Sequence, residues 1–292
     1  MRHVLKFFVA LTVLMSAACG GDTNTNSQAV APTSAPTSTG SLPTNAAGVP
    51  LVARVNTQDI TLDQLNSMVT QFGDQSDYSR TLALQTLIEQ ALIRQAAAAQ
   101  NVSITDADLD VELQAYIQRA GGTEAWGAWL TSNGYTEAAF RDLLRDQLIT
   151  ERMRDQLTAD LNAAVPQVHA RHILLATEQE ALDVLARLQN GDDFAALAAV
   201  FSRDVTTRTN GGDLGWFAYD ELLEPALADQ AFALQPGEIV GPVQTGLGFH
   251  ILQSLERGDR PLTEDIRAFI AQARFENWLN RLIAEAAIEQ YI

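Results

Sequence analysis

Two apolar β-type runs, each with a histidine inside it, bracket the middle of the chain. One is Val168-His169-Ala170-Arg171-His172-Ile173-Leu174-Leu175, and the other ends in Gly248-Phe249-His250-Ile251. Between them stands the glycine-rich turn Asn210-Gly211-Gly212-Asp213-Leu214-Gly215-Trp216-Phe217. His172 to Leu175 reads as a buried strand. Thr177 with Glu180 makes a capping box for a helix with Ala181, Val184, Leu185 and Leu188 inward. Asn190-Gly191 ends it, and Asp192 opens a second helix with Phe194, Leu197, Ala198 and Phe201 on its inner face. A strand at 213–217, a helical piece from Pro225 to Leu234 and a last strand from Phe249 to Leu255 follow. The order β-α-α-β-α-β implies a small sheet flanked by helices. Taken alone, a histidine in such a strand is more often a satisfied core group than a catalyst.

The series of motifs in this block is more specific than any one of them. Ala170-Arg171-His172-Ile173-Leu174 is followed by Asp193-Phe194-Ala195 and Phe201-Ser202-Arg203-Asp204. Gly211-Gly212-Asp213-Leu214-Gly215-Trp216-Phe217 comes next, then Ala231-Phe232-Ala233-Leu234 with Gly237-Glu238, and Gly241-Pro242-Val243 through Gly248-Phe249-His250-Ile251. Residues 166–257 thus resemble a parvulin-type peptidyl-prolyl cis-trans isomerase domain. The resemblance implies that His172 and His250 pair beneath the site, that Asp204 lies near the substrate carbonyl, and that Thr245 joins the same hydrogen-bonded network. It implies a proline pocket from Leu214, Leu223 (or Leu222) and Leu227, with Phe232 nearby, and no cofactor or metal. His169 has no counterpart and is expected to face solvent. Gly211, Gly212 and Gly215 are expected to serve the backbone of tight turns. Parvulins directed at phosphoserine-proline carry a basic cluster after the first strand. Here the residues are Ala176-Thr177-Glu178-Gln179-Glu180, whose acids would repel a phosphate.

Residues 51–165 read as a helical lobe. Leu51–Asn56 and Gln58–Ile60 suggest two short strands. Helices follow at capping boxes Thr61/Gln64 and Thr105/Asp108, at Thr136, and along the stripe Leu84, Leu87, Ile88, Ala91 and Leu92. Trp126, Trp129 and Tyr135 could face an unfolded client, but at this spacing such stripes usually form core. Residues 258–292 suggest one closing helix from Thr263 almost to the end, apolar on more than one side (Ile266, Phe269, Ile270; Phe275, Trp278, Leu279). Such a helix needs several partners, so it is expected to pack back onto the first lobe. The arrangement is similar to exported foldases of the SurA/PrsA kind. The expected class is α+β: a mostly helical chaperone-like lobe, from the N-terminal part plus the C-terminal helix, with an inserted parvulin domain.

The beginning of the chain supplies an address. Arg2 and Lys6 precede an apolar run, Phe7 to Met15, too short to span a bilayer. Ser16-Ala17-Ala18 then leads to Cys19, the only cysteine. Residues 1–18 resemble a bacterial lipoprotein signal peptide, although Ser16 stands where leucine is usual, and the resemblance implies lipidation of Cys19. An ordinary secretory signal is the alternative. The polar, Pro- and Ser-rich stretch within 19–50 reads as a disordered tether with a reach of roughly 30 Å. The chain carries 19 basic and 36 acidic residues, a net charge of −17, which speaks against nucleic acid or anionic lipid as a main partner. The expected protein is an exported, lipid-anchored foldase on the outer face of the cell membrane or in the periplasm. Its clients would be proline-containing unfolded polypeptides, its membrane contact Cys19, and its partners would include no nucleic acid or small-molecule cofactor. The alternative is a holding chaperone whose parvulin domain binds chains without turnover.

Overall fold

Asn56 holds the two ends of the helical lobe together. A computed structural model describes residues 41–73, 75–222 and 224–292; the signal segment, Cys19 and most of the expected tether lie outside them. Strand β1 (Leu51–Val55) turns at Asn56-Thr57 into β2 (Gln58–Thr61). Asn56 sits in the left-handed region at φ 56°, which asparagine tolerates better than most residues. Its amide N–H donates to Ala287 O at 2.8 Å, and its side-chain oxygen accepts from Ala287 N at 3.0 Å. This clamp docks β7 (Ile288–Gln290) antiparallel on β1, giving a sheet of order β2-β1-β7. The chain end expected to be helical is therefore a strand.

The expected tether also ends sooner than residue 50. Asn45 Oδ1 accepts from Ala47 N and Val49 N, 3.0 Å each, folding a local turn. Pro43 O and Pro50 O then accept from Leu51 N and Leu62 N, and Leu42 packs on the core beneath the small sheet. Carbonyls that would meet water in a tether here satisfy donors at the start of β1 and α1.

Helices α1 (Leu62–Phe72), α2 (Asp77–Ala99), α3 (Asp106–Ala120), α4 (Thr123–Ser132) and α5 (Glu137–Thr158) follow. Both capping boxes form, and Gly73 and Gly121 close α1 and α3 in left-handed conformations. Helix α9 (Glu264–Glu285) inserts Phe275, Trp278 and Leu279 into a core with Ile93 of α2, Leu113 of α3, Trp126 of α4, and Phe140 and Met153 of α5. Trp126 is buried, with Trp129 stacked on it at 5.1 Å and Tyr135 stacked on Trp129 at 6.1 Å.

The inserted domain is a four-stranded antiparallel sheet of order β4-β3-β6-β5. Its elements are β3 (Ala164–Leu175), α6 (Glu178–Gln189), α7 (Phe194–Phe201), β4 (Asp213–Ala218), α8 (Pro225–Ala233), β5 (Ile239–Thr245) and β6 (Gly248–Pro261). One more strand is present than the β-α-α-β-α-β pattern implied. Gly241-Pro242 hid β5, because proline cannot donate to a ladder. It is accommodated on this edge strand, at a register irregularity between Val240 and Val243. Pro166, expected at a boundary, lies inside β3. Its pairing with β4 begins only at Gln167, so at Pro166 β6 is the sole strand neighbour. The β3–β6 ribbon consequently runs on to Ala164 and Pro261, into the helical lobe.

Helices α6 and α7 cover one sheet face, with Ile173, Leu175 and Ile251 beneath them, while α8 covers the other, over Ala170 and Leu252. Asp193, one residue later than expected, caps α7, its Oδ1 accepting from Ala196 N at 2.7 Å. Asp192 instead pairs with Arg187. Phe201 does not face inward; it is 40% exposed under the Arg187 guanidinium.

Candidate active site

Register places the two histidines. His172 pairs with Leu252 and Leu174 with His250, so His172 and His250 are diagonal neighbours on one sheet face. That is the face α8 covers, and both imidazoles are buried. Their Nδ1 atoms lie 3.2 Å apart. His172 Nε2 is 2.8 Å from Asp204 Oδ2 and 3.2 Å from Thr207 Oγ. His250 Nε2 is 2.8 Å from Thr245 Oγ. Four residues singled out from the sequence, His172, Asp204, Thr245 and His250, thus form one connected network.

The network fixes its own proton positions. A carboxylate only accepts, so His172 Nε2–H and the Thr207 hydroxyl (2.5 Å) both donate to Asp204. Neutral His172 then offers a lone pair at Nδ1, to which His250 Nδ1–H donates. That leaves His250 Nε2 to accept the Thr245 hydroxyl, whose oxygen accepts from Leu247 N at 3.1 Å. All four imidazole nitrogens are committed.

Burial, with the neighbouring His172, lowers His250 to about 4. Burial works to raise the Asp204 carboxyl, but hydrogen bonds from Thr207, His172 and Thr206 N outweigh it and hold the acid well below the usual carboxylate range. Thr207 was not foreseen. Its signal was Asp204-Val205-Thr206-Thr207, in which an acid accepting from the amide two residues on sets up a turn. Ser202 was also missed: its buried Oγ accepts from Leu174 N and Asp204 N, tying the Asp204 loop to β3.

Gly212 shows why the glycine turn is needed. It adopts φ +80°, and a Cβ there would collide with His172 O, whereas now its own carbonyl accepts from His172 N at 2.9 Å. Gly248 likewise approaches Leu175 O, too closely for a side chain. Two glycines therefore let loops seat directly on the strand that carries His172.

The apolar residues divide. Leu227 is buried and Leu214 and Leu222 are partly buried, the last two packed on the core under α8. Leu223 lies outside the described residues. Phe232 is turned towards Phe217 and Tyr219 and lines a cavity of about 220 Å³ with Leu161, Pro166, Ile270 and Arg274. No residue of the histidine network lines that cavity, but Phe232 also packs against the same core as Leu214 and Leu222. His169 is not solvent-facing either; its Nε2 lies 2.7 Å from Asp213 Oδ1 and its ring packs near Trp216. After Leu175, Glu180 accepts from Ala176 N and Thr177 N, so that loop is closed by an acid.

Comparison with known proteins gives this arrangement a family. The PPIC-type PPIASE domain profile matches residues 166–256, and the SurA-like N-terminal domain profile matches residues 3–154. Foldase protein PrsA of Caldanaerobacter subterraneus subsp. tengcongensis is 32% identical over 219 residues, covering 72% of this chain and 67% of that protein. Chaperone SurA of Nitrosospira multiformis is 35% identical over 161 residues, covering 49% of this chain and 35% of that one. The crystal structure of the peptidylprolyl isomerase PrsA from Bacillus anthracis is 26% identical, covers 69% of this chain and 94% of its own, and gives a TM-score of 0.42. The chain belongs to the family of PrsA- and SurA-like foldases that carry a parvulin-type peptidyl-prolyl isomerase domain.

Proposed function

We propose that the protein is an extracytoplasmic foldase: residues 166–257 isomerise X–Pro bonds of unfolded polypeptides, and the lobe built from 51–165 and 258–292 holds them. The observation that carries this reading is the closed chain of hydrogen bonds from Thr245 through His250 and His172 to Asp204, set beside Leu214, Leu222 and Leu227. Planarity of a prolyl amide rests on conjugation that places negative charge on the carbonyl oxygen, and twisting removes it against a barrier of roughly 20 kcal/mol. An apolar cleft grips the ring without solvating the planar form. The Asp204 carboxylate, near the carbonyl, disfavours the charge separation of that form, and so favours the twisted amide. No imidazole nitrogen is left to attack the substrate. His172, His250 and Thr245 act as positioning residues that hold Asp204 ionised and in place.

A protease-coupled assay on an unphosphorylated proline peptide tests the reading directly. The purified protein should accelerate isomerisation, and the His172→Ala/Asp204→Ala double variant should lose at least about tenfold, or ~1.4 kcal/mol of barrier lowering. Suppression of client aggregation with no acceleration would instead indicate a holding chaperone. The signal at 1–18 supports export, and Cys19 supports a lipid anchor. A Cys19→Ser variant should then move from the membrane fraction to the soluble one; retention on the membrane contradicts the anchor.

A further inference from the structure

The segment between β4 and α8 contributes both apolar and acidic groups to the edge of the site. Its acids are not equivalent. Asp220 is held by Arg274 at 2.8 Å, and Glu221 Oε1 accepts from Ala218 N at 2.8 Å. Glu224 stands at the N-cap position of α8, where its carbonyl accepts from Leu227 N and Ala228 N, yet its carboxylate does not cap the helix and makes no hydrogen bond or ion pair among the described residues. It is only partly exposed, between Leu222 and Leu227 in sequence. Its carboxylate faces the hairpin turn that follows Thr245, since a Cβ placed on Gly246 would lie 4.0 Å from Glu224 Oε1. Glu224 therefore spans the gap between the apolar residues and the turn that ends the histidine network. A carboxylate so placed, shielded on one side and unpaired, lacks a cation.

We propose that Glu224 is a specificity-determining residue of the isomerase site, selecting proline bonds flanked by a lysine or arginine; this rests on the isomerase reading above. An unfolded chain threading the cleft must carry the residues beside its proline past this carboxylate. A basic side chain there completes an ion pair, and an acidic one meets like charge at short range. The full chain is acidic, with a net charge of −17, so basic segments are also drawn to it at longer range. Arg203 and Arg208 lie on the loop beside Asp204, and both are exposed. They would favour an acidic flank, so the preference is a balance in which Glu224 is the inner group.

The experiment compares short unphosphorylated peptides carrying Lys, Ala or Glu immediately before the proline, with a second series varied immediately after it. Rates are read by NMR exchange spectroscopy, so that no coupling protease has to cut charged peptides. In at least one series the Lys-to-Glu ratio of kcat/KM should be about fivefold or more at low salt, equivalent to about 1 kcal/mol. It should shrink as salt is added. Glu224→Gln, close in shape, should bring that ratio towards one, and Glu224→Lys should invert it; circular dichroism establishes that each variant is folded. A ratio near one in the unaltered protein, or one that neither variant moves, overturns the proposal while turnover of the Ala peptide leaves the isomerase reading standing. Failure to turn over any peptide removes both.

Discussion

The two cores of this molecule are built on opposite terms. The lobe core is apolar and aromatic and is assembled from parts far apart in sequence: Phe275, Trp278 and Leu279 of α9 sit among residues of α2 to α5. The parvulin domain instead buries His172, His250 and Ser202, each hydrogen-bonded, among its apolar residues, and its strands all come from one continuous stretch. Burying polar groups is costly unless each finds a partner, so the strands and glycine turns there are arranged around a hydrogen-bond network. The lobe needs only volume and complementarity. The parvulin domain is a site that tolerates little change, and the lobe's weak point is its dependence on a distant helix.

The sharpest way to break that comparison is to delete residues 262–292. The lobe core would lose Phe275, Trp278 and Leu279, together with the β7 strand on β1, and the seam would lose Ile270. Large buried side chains are worth about 2–5 kcal/mol each, so the loss is of order 5 kcal/mol or more, comparable with the whole stability of a domain. The lobe should lose its cooperative melting transition while the parvulin domain keeps its own. A lobe that melts unchanged, by circular dichroism or calorimetry, would contradict this picture.

Acid should separate the two cores in a second way. An ordinary histidine takes up a proton near pH ~6.5, but buried His250 does so only at about 4. Between these values the unfolded chain binds more protons than the folded one, so stability falls as pH falls. The contribution is fully present above pH ~6.5, and at most about 3 kcal/mol of it is lost by the time pH reaches about 4. Asp204, whose pKa is depressed, adds a loss at still lower pH, below its unfolded value of ~3.9. The lobe segments 51–165 and 258–292 contain no histidine. Burial, partly offset by Arg94, raises Asp146 there, so protonation of that acid favours the folded lobe. Urea midpoints measured from pH 7 to 5 should decline for the parvulin domain and stay nearly level for the lobe. A His250→Gln variant should lose the slope; equal slopes in both domains would count against the assignment.

What could be read from the sequence divides along the same line as the physics. Thr61/Gln64, Thr105/Asp108 and Thr177/Glu180 declare helix starts because a capping box is local, complete within four residues. The α+β class and the link between His172, Asp204, Thr245 and His250 were legible because a series of motifs came in order. The misses depended on partners far away. Ile288–Gln290 has no strand signature of its own and becomes β7 only because β1 offers an edge and Asn56 a clamp. Residues 42–50 have a tether's composition but fold because Pro43 and Pro50 carbonyls meet donors on β1 and α1. The cavity that Phe232 lines beside α9 had no local signal, because Ile270 and Arg274 come from a helix far along the chain. Thr207 was hidden because a threonine in a polar loop carries no signal until Asp204 is placed.

The smallest expected effect lies at the seam between the two cores. Arg274 on α9 reaches Asp160, just after α5, at 2.7 and 2.8 Å, and Asp220, just after β4, at 2.8 Å. Beside it Ile270 packs with Leu161, Val165, Ala218 and Leu262. The arrangement looks like a latch, but both acids reach water and the guanidinium is itself partly exposed. Exposed pairs contribute about 0–1 kcal/mol each and weaken with salt. Replacing Arg274 with methionine keeps most of the apolar stem that lies along Ile270 and removes only the charge. Stability of either domain should change by no more than about 1 kcal/mol, and 0.5 M salt should narrow the difference from the unaltered protein. The apolar contact around Ile270 then carries the seam, and Ile270→Ala should cost more, about 2–4 kcal/mol. If Arg274→Met proved the more damaging of the two, the seam would be held by charge, and the division between an apolar lobe and a polar sheet would not extend to the place where they meet.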